Sequence, residues 1–150
     1  MLNGGINSQT LPLIGWREWV RLPEFGITSI KAKVDTGARS SSLHAVNIER
    51  FEVDGIQKMR FQIAPVQHDD RQLVWAEATL IGQRTVTDSG GHQQLRPVVM
   101  TTVCLGGITW PIELTLTNRD VMGFRMLLGR QAIRDRFLVD SGHSFLHNSP

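Results

Sequence analysis

The chain has 150 residues, of which 41% are hydrophobic and 20% charged, with a net charge of +2. These values fit one compact soluble domain that can bury a sizeable core. A single cysteine excludes an internal disulfide and is typical of a reducing compartment, and no stretch approaches the ~20 apolar residues of a membrane helix. We therefore expect a cytoplasmic protein that binds neither membrane nor, with its basic residues scattered, nucleic acid.

Short β-type runs between Gly, Asn and Asp turns dominate the chain, and helical periodicity is scarce. The pattern predicts strands over 13–21, 29–34, 44–53, 59–64, 73–81, 95–105 and 110–116, with hairpin turns at 54–55 and 106–107. A short helix over 129–136 and a strand over 137–139 follow. Residues 1–12 and 141–150 are polar and are expected to fray, which leaves a domain over 13–140. This pattern is typical of a mainly β fold, a barrel or a sandwich.

A candidate catalytic turn follows the apolar and β-branched run that ends at Val34. There Asp35 can hold a water through hydrogen bonds, Thr36 can lock the turn with its hydroxyl, and Gly37 lets another backbone approach closely because it has no side chain. About ninety residues later, the segment MLLGRQAI (126–133) gives large apolar residues, a glycine and then the predicted helix.

The pair VDTGA (34–38) and MLLGRQAI (126–133) resembles the two signatures of retropepsin-like aspartic proteases, in which the second segment crosses beneath the catalytic loop. Stretches 31–45, 85–99 and 112–133 further resemble the bacterial family described as ATP-dependent zinc proteases, and the likeness spans about residues 14–140. That family is associated with ATP-grasp ligases that add glutamate tails to a ribosomal protein. The resemblance implies a closed β-barrel with one short C-terminal helix, peptidase activity, a glutamate ligase as functional partner and a polyglutamylated ribosomal protein as substrate.

The implied mechanism needs two aspartates, because one activates a water while the other, protonated, polarises the scissile carbonyl. Two carboxyls ~3 Å apart cannot both ionise, so they share one proton. Asp140 lies in a sequence like that of Asp35, because it follows an apolar run and precedes Ser-Gly. Only eight residues remain after Gly142, however, which are too few for a second half-barrel. We therefore expect a homodimer in which each copy supplies Asp35.

A retropepsin also needs a flap that closes over its substrate, and the β-branched run that ends in glycines at 85–92 fits one. Thirteen of the 16 basic residues are arginines, which suit carboxylate ligands, although their scattered positions also fit ordinary solvated surface charge. Together with the resemblance to a family linked to glutamate-adding ligases, the arginines imply a glutamate-rich substrate. The residues expected to contact it lie in the catalytic loop, at the flap tip and at the flap base: Ala38, Arg39, Ser89, Gly90, Gly91 and Arg96.

Two alternatives remain open. A zinc-dependent peptidase would use His44, a weak candidate ligand, near Asp35, although the chain has no HExxH or CxxC motif. A binding domain would keep the fold and recognise acidic peptides without cutting them. No cofactor is expected for the aspartic mechanism, and the chain has no nucleotide-binding signature.

Overall fold

In a computed structural model, residues 11–88, 90–119 and 123–147 are described. In chain order they contain these elements: β1 (Leu13–Gly15), β2 (Arg17–Leu22), a 3-10 turn (Pro23–Phe25), β3 (Ile27–Asp35), β4 (Ser41–His44), β5 (Val46–Val53), β6 (Ile56–Ile63), β7 (Val74–Thr87), β8 (Gln93–Leu105), β9 (Ile108–Thr117), β10 (Met126–Gly129), α1 (Arg130–Ile133) and β11 (Leu138–Asp140). The mainly β fold with one short helix is confirmed. No helix in these ranges has the length and apolarity needed to cross a bilayer.

Six strands form a closed ring in the order β2, β3, β10, β4, β9, β8. The pairing of Arg21 in β2 with Cys104 in β8 closes it. The β3–β10 and β4–β9 pairs are parallel and the other pairs in the ring are antiparallel. Beyond β8 the sheet continues as an antiparallel extension through β7, β6 and β5, while β1 and β11 form a separate parallel pair.

The core fills the ring because alternate residues of its strands point inward. In β3, Ile30, Ala32 and Val34 are buried while the intervening Lys31 and Lys33 are partly exposed. β10 is buried at all four positions because it lies between β3 and β4. This central position sets Gly129 beside Asp35 and Leu127 beside Ser42.

Several predicted elements are placed differently by the tertiary structure. The single strand expected over 13–21 is broken at Trp16, whose N–H donates to the His143 carbonyl and whose carbonyl accepts the Val34 N–H. The strand expected over 44–53 starts at 46, because Ser41–His44 forms a strand of its own against β9 and β10. The helix expected over 129–136 is a single turn.

Residues 141–147, which were expected to fray, pack against the domain. The ring of Phe145 stacks on Trp19 with centroids 5.7 Å apart. The fully buried carboxylate of Glu18 accepts the backbone N–H groups of Leu146 at 2.9 Å and His147 at 3.3 Å. These contacts replace the expected fraying with an ordered strap, whereas residues 1–10 and 148–150 lie outside the described part of the chain.

Candidate active site

Asp35 ends β3 and opens a tight turn. Its Oδ1 accepts the N–H of Gly37 at 2.9 Å and of Ala38 at 3.2 Å, and its backbone carbonyl also accepts the Ala38 N–H at 3.2 Å. These bonds fix the carboxylate relative to the loop, while Oδ2 receives no hydrogen bond from the described residues. The side chain is only partly buried, so a water or a second carboxyl can reach it.

The segment from β10 into α1 holds this loop from below. The N–H of Gly129 donates to the Ser41 hydroxyl at 3.0 Å, and the N–H of Arg130 donates to the Ala38 carbonyl at 2.7 Å. The guanidinium of Arg130 donates to the Thr36 carbonyl at 3.0 Å. The two segments that carry the sequence resemblance therefore meet as predicted, with the second supporting the turn that bears Asp35.

A cleft of about 500 Å³ lies in front of Asp35. The loop that follows Asp35 forms one wall, and the β7–β8 hairpin forms another. Leu127 of β10 lies in the cleft beside polar and charged side chains. The lining residues are Asp35, Gly37, Ala38, Arg39, Ser40, Ser42, Arg84, Thr85, Val86, Thr87, Asp88, His92, Gln93, Gln94, Arg96, Arg119 and Leu127.

The expected flap is a hairpin in the structure. Thr87 of β7 pairs with Gln93 of β8, and the turn between them is organised by Asp88. Asp88 Oδ1 accepts the N–H of His92 at 2.8 Å and of Gly90 at 2.9 Å. The His92 N–H is the main reason why the pKa of the Asp88 carboxyl lies below its ordinary value. Ser89, expected at the tip, lies outside the described residues.

Positive charge dominates the cleft. Arg84 pairs with Glu113 at 2.7 Å, but Arg39, Arg96 and Arg119 have no ion-pair partner within the described ranges. Burial is the largest cause that lowers the pKa of the Arg96 guanidinium, followed by the charge of Arg119, while Asp88 acts weakly in the opposite direction. A cleft with unneutralised cations favours anionic ligands.

Five of the residues expected to form the site line this cleft, namely Asp35, Gly37, Ala38, Arg39 and Arg96. Thr36 is exposed and accepts a hydrogen bond through its carbonyl, and neither it nor the glycines at 90 and 91 belong to the lining formed by the described residues.

Two further candidates lie elsewhere. His44 is buried in β4, with Nδ1 3.4 Å from the guanidinium of Arg125. Asp140 lies in β11 and accepts from the N–H of Gly142 at 3.0 Å, with the His143 imidazole 2.8 Å away. Neither His44 nor Asp140 lines the cleft, and no group of three His, Cys, Asp or Glu side chains in the described residues could hold a metal ion.

Three lining residues carry no signal in the sequence that marks them for this site. Arg84 and Gln94 lie on the strands of the hairpin, and Arg119 follows the end of β9. All three reach the cleft through long-range strand pairing, so neither a motif nor local spacing points to them. The only hint is the general excess of arginine over lysine.

The family model described as retropepsin-like aspartic endopeptidase RimB matches residues 13–150. The chain belongs to this family. Membership of a retropepsin-like endopeptidase family indicates a peptidase fold. In this fold the features of interest are the Asp35 turn, its support by β10 and the hairpin that lines the cleft.

Curated relatives of this family member are longer proteins. A probable alpha-L-glutamate ligase from Desulfotalea psychrophila is 47% identical over 128 residues, which are 85% of this chain and 28% of that protein. One from Shewanella pealeana is 44% identical over 133 residues, 89% of this chain and 29% of that protein. The chain therefore spans less than a third of the length of these relatives.

A solved structure shares the fold. The crystal structure of Lpg0085, a protein of unknown function (DUF785) from Legionella pneumophila, is 33% identical and has a TM-score of 0.76. The match covers 90% of this chain and 97% of that one. The overall arrangement of strands in this chain is therefore similar to that in a protein whose crystal structure is known.

Proposed function

We propose that the chain is an aspartic peptidase whose active form is a homodimer, with Asp35 of each copy at the reacting centre. The observation that carries this proposal is the placement of Asp35 in the wall of a cleft that the β7–β8 hairpin also lines. The N–H groups of Gly37 and Ala38 fix the Asp35 carboxylate there. Membership of a retropepsin-like aspartic endopeptidase family supports the same chemistry.

We expect the second aspartate from another copy of the chain, because Asp35 and Asp88 are the carboxylates that line the cleft among the described residues. Asp140 does not line the cleft, and Asp88 is engaged by the N–H groups of its own hairpin turn. Thr36 and Gly37 are exposed in the single chain, so the loop presents an open side. A two-fold axis past this side would bring two Asp35 carboxyls together in a symmetric interface.

In such a pair one Asp35 is ionised and the other is protonated. The ionised carboxyl accepts a proton from a water, whose oxygen bonds to the carbonyl carbon of the substrate, while the other carboxyl donates its proton to the carbonyl oxygen. The resulting diol collapses when a proton passes to the amide nitrogen and the C–N bond breaks. The products are a carboxylic acid and an amine, and Thr36 and Gly37 keep the loop preorganised.

Acidic peptides fit the cleft best. Arg39 and Arg96 face the space in front of Asp35 without ion-pair partners in the described residues, and Arg119 adds a third positive charge. The relatives named as probable alpha-L-glutamate ligases support a substrate made by glutamate addition. We therefore infer that the chain trims glutamate-rich tails, with a polyglutamylated ribosomal protein as target and an ATP-grasp glutamate ligase as functional partner.

Hydrolysis of a deca-glutamate peptide tests the catalytic role of Asp35. Asp35→Asn should abolish cleavage while the thermal unfolding midpoint stays near that of the wild type, because the volume is nearly unchanged and only the ionisable group is lost. Asp140→Asn is the matched control and should retain most of the activity. Cleavage that survives in a pure Asp35→Asn preparation would disprove the aspartic mechanism.

Mixing tests the shared site. Specific activity should fall when the wild type is diluted below its dimer dissociation constant. Excess Asp35→Asn chain should inhibit the wild type by forming mixed dimers with one competent aspartate. Full activity of a monomer at every concentration would rule out a site shared between two copies.

An acidic-peptide-binding domain without peptidase activity is the second candidate. It is favoured by one observation, that the domain makes up 28% of relatives named as ligases, where it could hold a glutamate tail. Wild-type protein that binds deca-glutamate and never cleaves it would support this candidate. A zinc-dependent peptidase would instead lose its activity to chelation and regain it with zinc, whereas the aspartic dyad would be unaffected.

A further inference from the structure

Arg96 is a partly buried cation held by neutral groups. Its Nε donates to the Gln94 side-chain oxygen at 2.8 Å, and its Nη1 donates to the Ser42 hydroxyl at 3.1 Å. No carboxylate of the described residues lies within ion-pair distance. Partial burial of a charge that is not paired is unfavourable, so the fold retains Arg96 at a cost to the free protein.

A second cation increases this cost. Arg119 lines the same cleft, and its charge lowers the pKa of Arg96 in addition to the larger effect of burial. Arg84 differs because it lies in the same cleft with a counter-ion, Glu113. The cleft thus holds one neutralised arginine, Arg84, and three others, Arg39, Arg96 and Arg119. The charges of Arg96 and Arg119 repel each other, and the Asp88 carboxylate, beyond ion-pair distance, acts on Arg96 in the opposite direction.

Hydrogen bonds donated by hydroxyl groups, all running in one direction, fix the Ser42 hydroxyl that accepts from Arg96 Nη1. Thr115 Oγ1 donates to the Ser41 carbonyl at 3.2 Å, so the 2.9 Å bond between Thr115 and Ser42 has Ser42 as its donor. Ser42 Oγ is therefore free to accept from Arg96. Bonds that run in one direction strengthen each other.

The Gln94 side chain, which accepts from Arg96 Nε, is also fixed by a second hydrogen bond. The side-chain oxygen of Gln94 accepts from the Thr117 hydroxyl at 3.0 Å as well as from Arg96. Thr117 Oγ1 in turn accepts the backbone N–H of Arg119 at 3.2 Å. One network thus fixes the side chain of Arg96 and the backbone of Arg119 before any ligand arrives.

We propose that Arg96 and Arg119 form a subsite for one carboxylate of the substrate, and that Gln94 and Ser42 are its positioning residues. This inference rests on the proposed function, since it names the residues by which the cleft binds a side chain of an acidic peptide. The ligand carboxylate supplies the counter-ion that Arg96 does not have within ion-pair distance among the described residues. A ligand without that carboxylate leaves Arg96 unpaired and binds weakly.

The register of β10 places this subsite relative to the cut bond. Leu127 pairs with Ser42, and Gly129, two residues further along β10, pairs with Asp35. At about 3.3 Å per residue, the Ser42 end of the subsite is roughly 7 Å along the strand from Asp35. Because β3 and β4 lie on opposite sides of β10, the two positions are also separated by two strand spacings of about 4.8 Å across the sheet. The subsite therefore takes the carboxylate of a residue a few positions from the scissile bond.

Binding is measured in the Asp35→Asn protein, which keeps the cleft and does not depend on turnover. Penta-glutamate should raise its unfolding midpoint, and penta-glutamine should not. Adding Arg96→Met should weaken the dissociation constant for penta-glutamate roughly ten- to a hundredfold. The same change should raise the midpoint of the free protein by about 2–4 °C, because the unpaired charge is removed.

The control is Arg60→Met, also in the Asp35→Asn protein. It removes an arginine that pairs with Glu77 at 3.0 Å and does not line the cleft, so it should not raise the midpoint and should change penta-glutamate affinity less than threefold. Penta-glutamate binding that Arg96→Met leaves within twofold overturns the subsite, as does failure of penta-glutamate to bind the Asp35→Asn protein.

Gln94→Glu tests the positioning role because the side chain keeps its shape and the acceptor oxygen that Arg96 and Thr117 use. The new carboxylate would neutralise Arg96 internally, so the protein should become more stable and lose at least tenfold in penta-glutamate affinity. A role in folding alone predicts no loss of affinity, and unchanged affinity would overturn the proposal. A wild type that never hydrolyses peptides would refute the proposed function and leave these binding results to decide the subsite.

Discussion

Gly129→Ala tests how closely β10 fits the catalytic loop. A Cβ at this position would lie 2.5 Å from both the carbonyl carbon and oxygen of Ser40 and 3.0 Å from the Ala38 oxygen. All three are backbone atoms, which cannot rotate away as a side chain can. The φ of Gly129 is −89°, a value that any residue adopts, so the effect of the substitution is steric.

The size of the clash sets the expected magnitude. Ordinary contacts of a Cβ begin near 3.4 Å, so the loop or β10 must move by about 1 Å. Inserting a methyl group into a packed site costs about 1–3 kcal/mol, which for a domain of this size lowers the unfolding midpoint by roughly 2–12 °C. A shift of about 1 Å in the loop that carries Asp35 should lower kcat by about a hundredfold.

Circular dichroism against temperature and hydrolysis of deca-glutamate measure the two effects. Gly142→Ala is the control, because its Cβ would meet only the Asp140 side chain at 3.5 Å, and its stability should change by less than about 0.5 kcal/mol. A Gly129→Ala protein that unfolds at the wild-type temperature would refute the close contact between Gly129 and Ser40, whatever its activity.

Two other features of the molecule give predictions. Glu18→Gln should lower the free energy of unfolding in urea by about 1–3 kcal/mol, because the buried carboxylate that accepts three N–H groups is replaced by a group with an amide donor. The backbone amide of Leu146 should also exchange its hydrogen faster. Unchanged exchange would show that Glu18 does not hold residues 141–147 against the domain. The pKa of Asp88 is lowered mainly by the His92 N–H, so its ionised form stabilises the turn above the ordinary value of 3.8 and this stabilisation is lost as the pH falls through the lowered pKa. The amide NMR signal of Gly90, whose N–H donates to Asp88, should therefore move at pH below 4, and a signal that does not move there would show that the Asp88 carboxylate does not hold the turn.

The sequence predicted the hairpin turns and most of the long strands well, because those depend on local chemistry. Asp54 and Gly55 both have positive φ between the paired residues Val53 and Ile56, as an Asp-Gly hairpin turn requires. The meeting of the Asp35 turn with Gly129 came from resemblance alone. No local rule pairs two segments that lie about ninety residues apart.

β4 was missed because its residues do not alternate between polar and apolar. Ser41 and Ser42 are buried, with Ser41 accepting the Gly129 N–H and Ser42 bonded to Thr115. Satisfied hydroxyls let a polar sequence occupy the interior of the sheet. Polar residues in a strand that is covered on both sides give no pattern from which burial could be inferred.

The strap at 141–147 and the cleft arginines were missed for a related reason. A short polar segment with one phenylalanine predicts fraying unless the partner of that ring is known, and here the partner is Trp19, far away in the sequence. Arg119 gives no local signal either, since its role depends on which strand lies opposite the end of β9. Spacing in the sequence does not contain this information.

The position of β10 also orders events during protein synthesis. β3 and the turn that bears Asp35 leave the ribosome before β10, the strand that pairs with β3 and supports the turn, which is made about ninety residues later. At about 5–20 residues per second, the delay is roughly 5–20 s. A nascent chain in that interval carries Asp35 on an open ring whose β3 and β4 edges both lack their neighbour. Such a chain has the aspartate but lacks the segment that supports its turn.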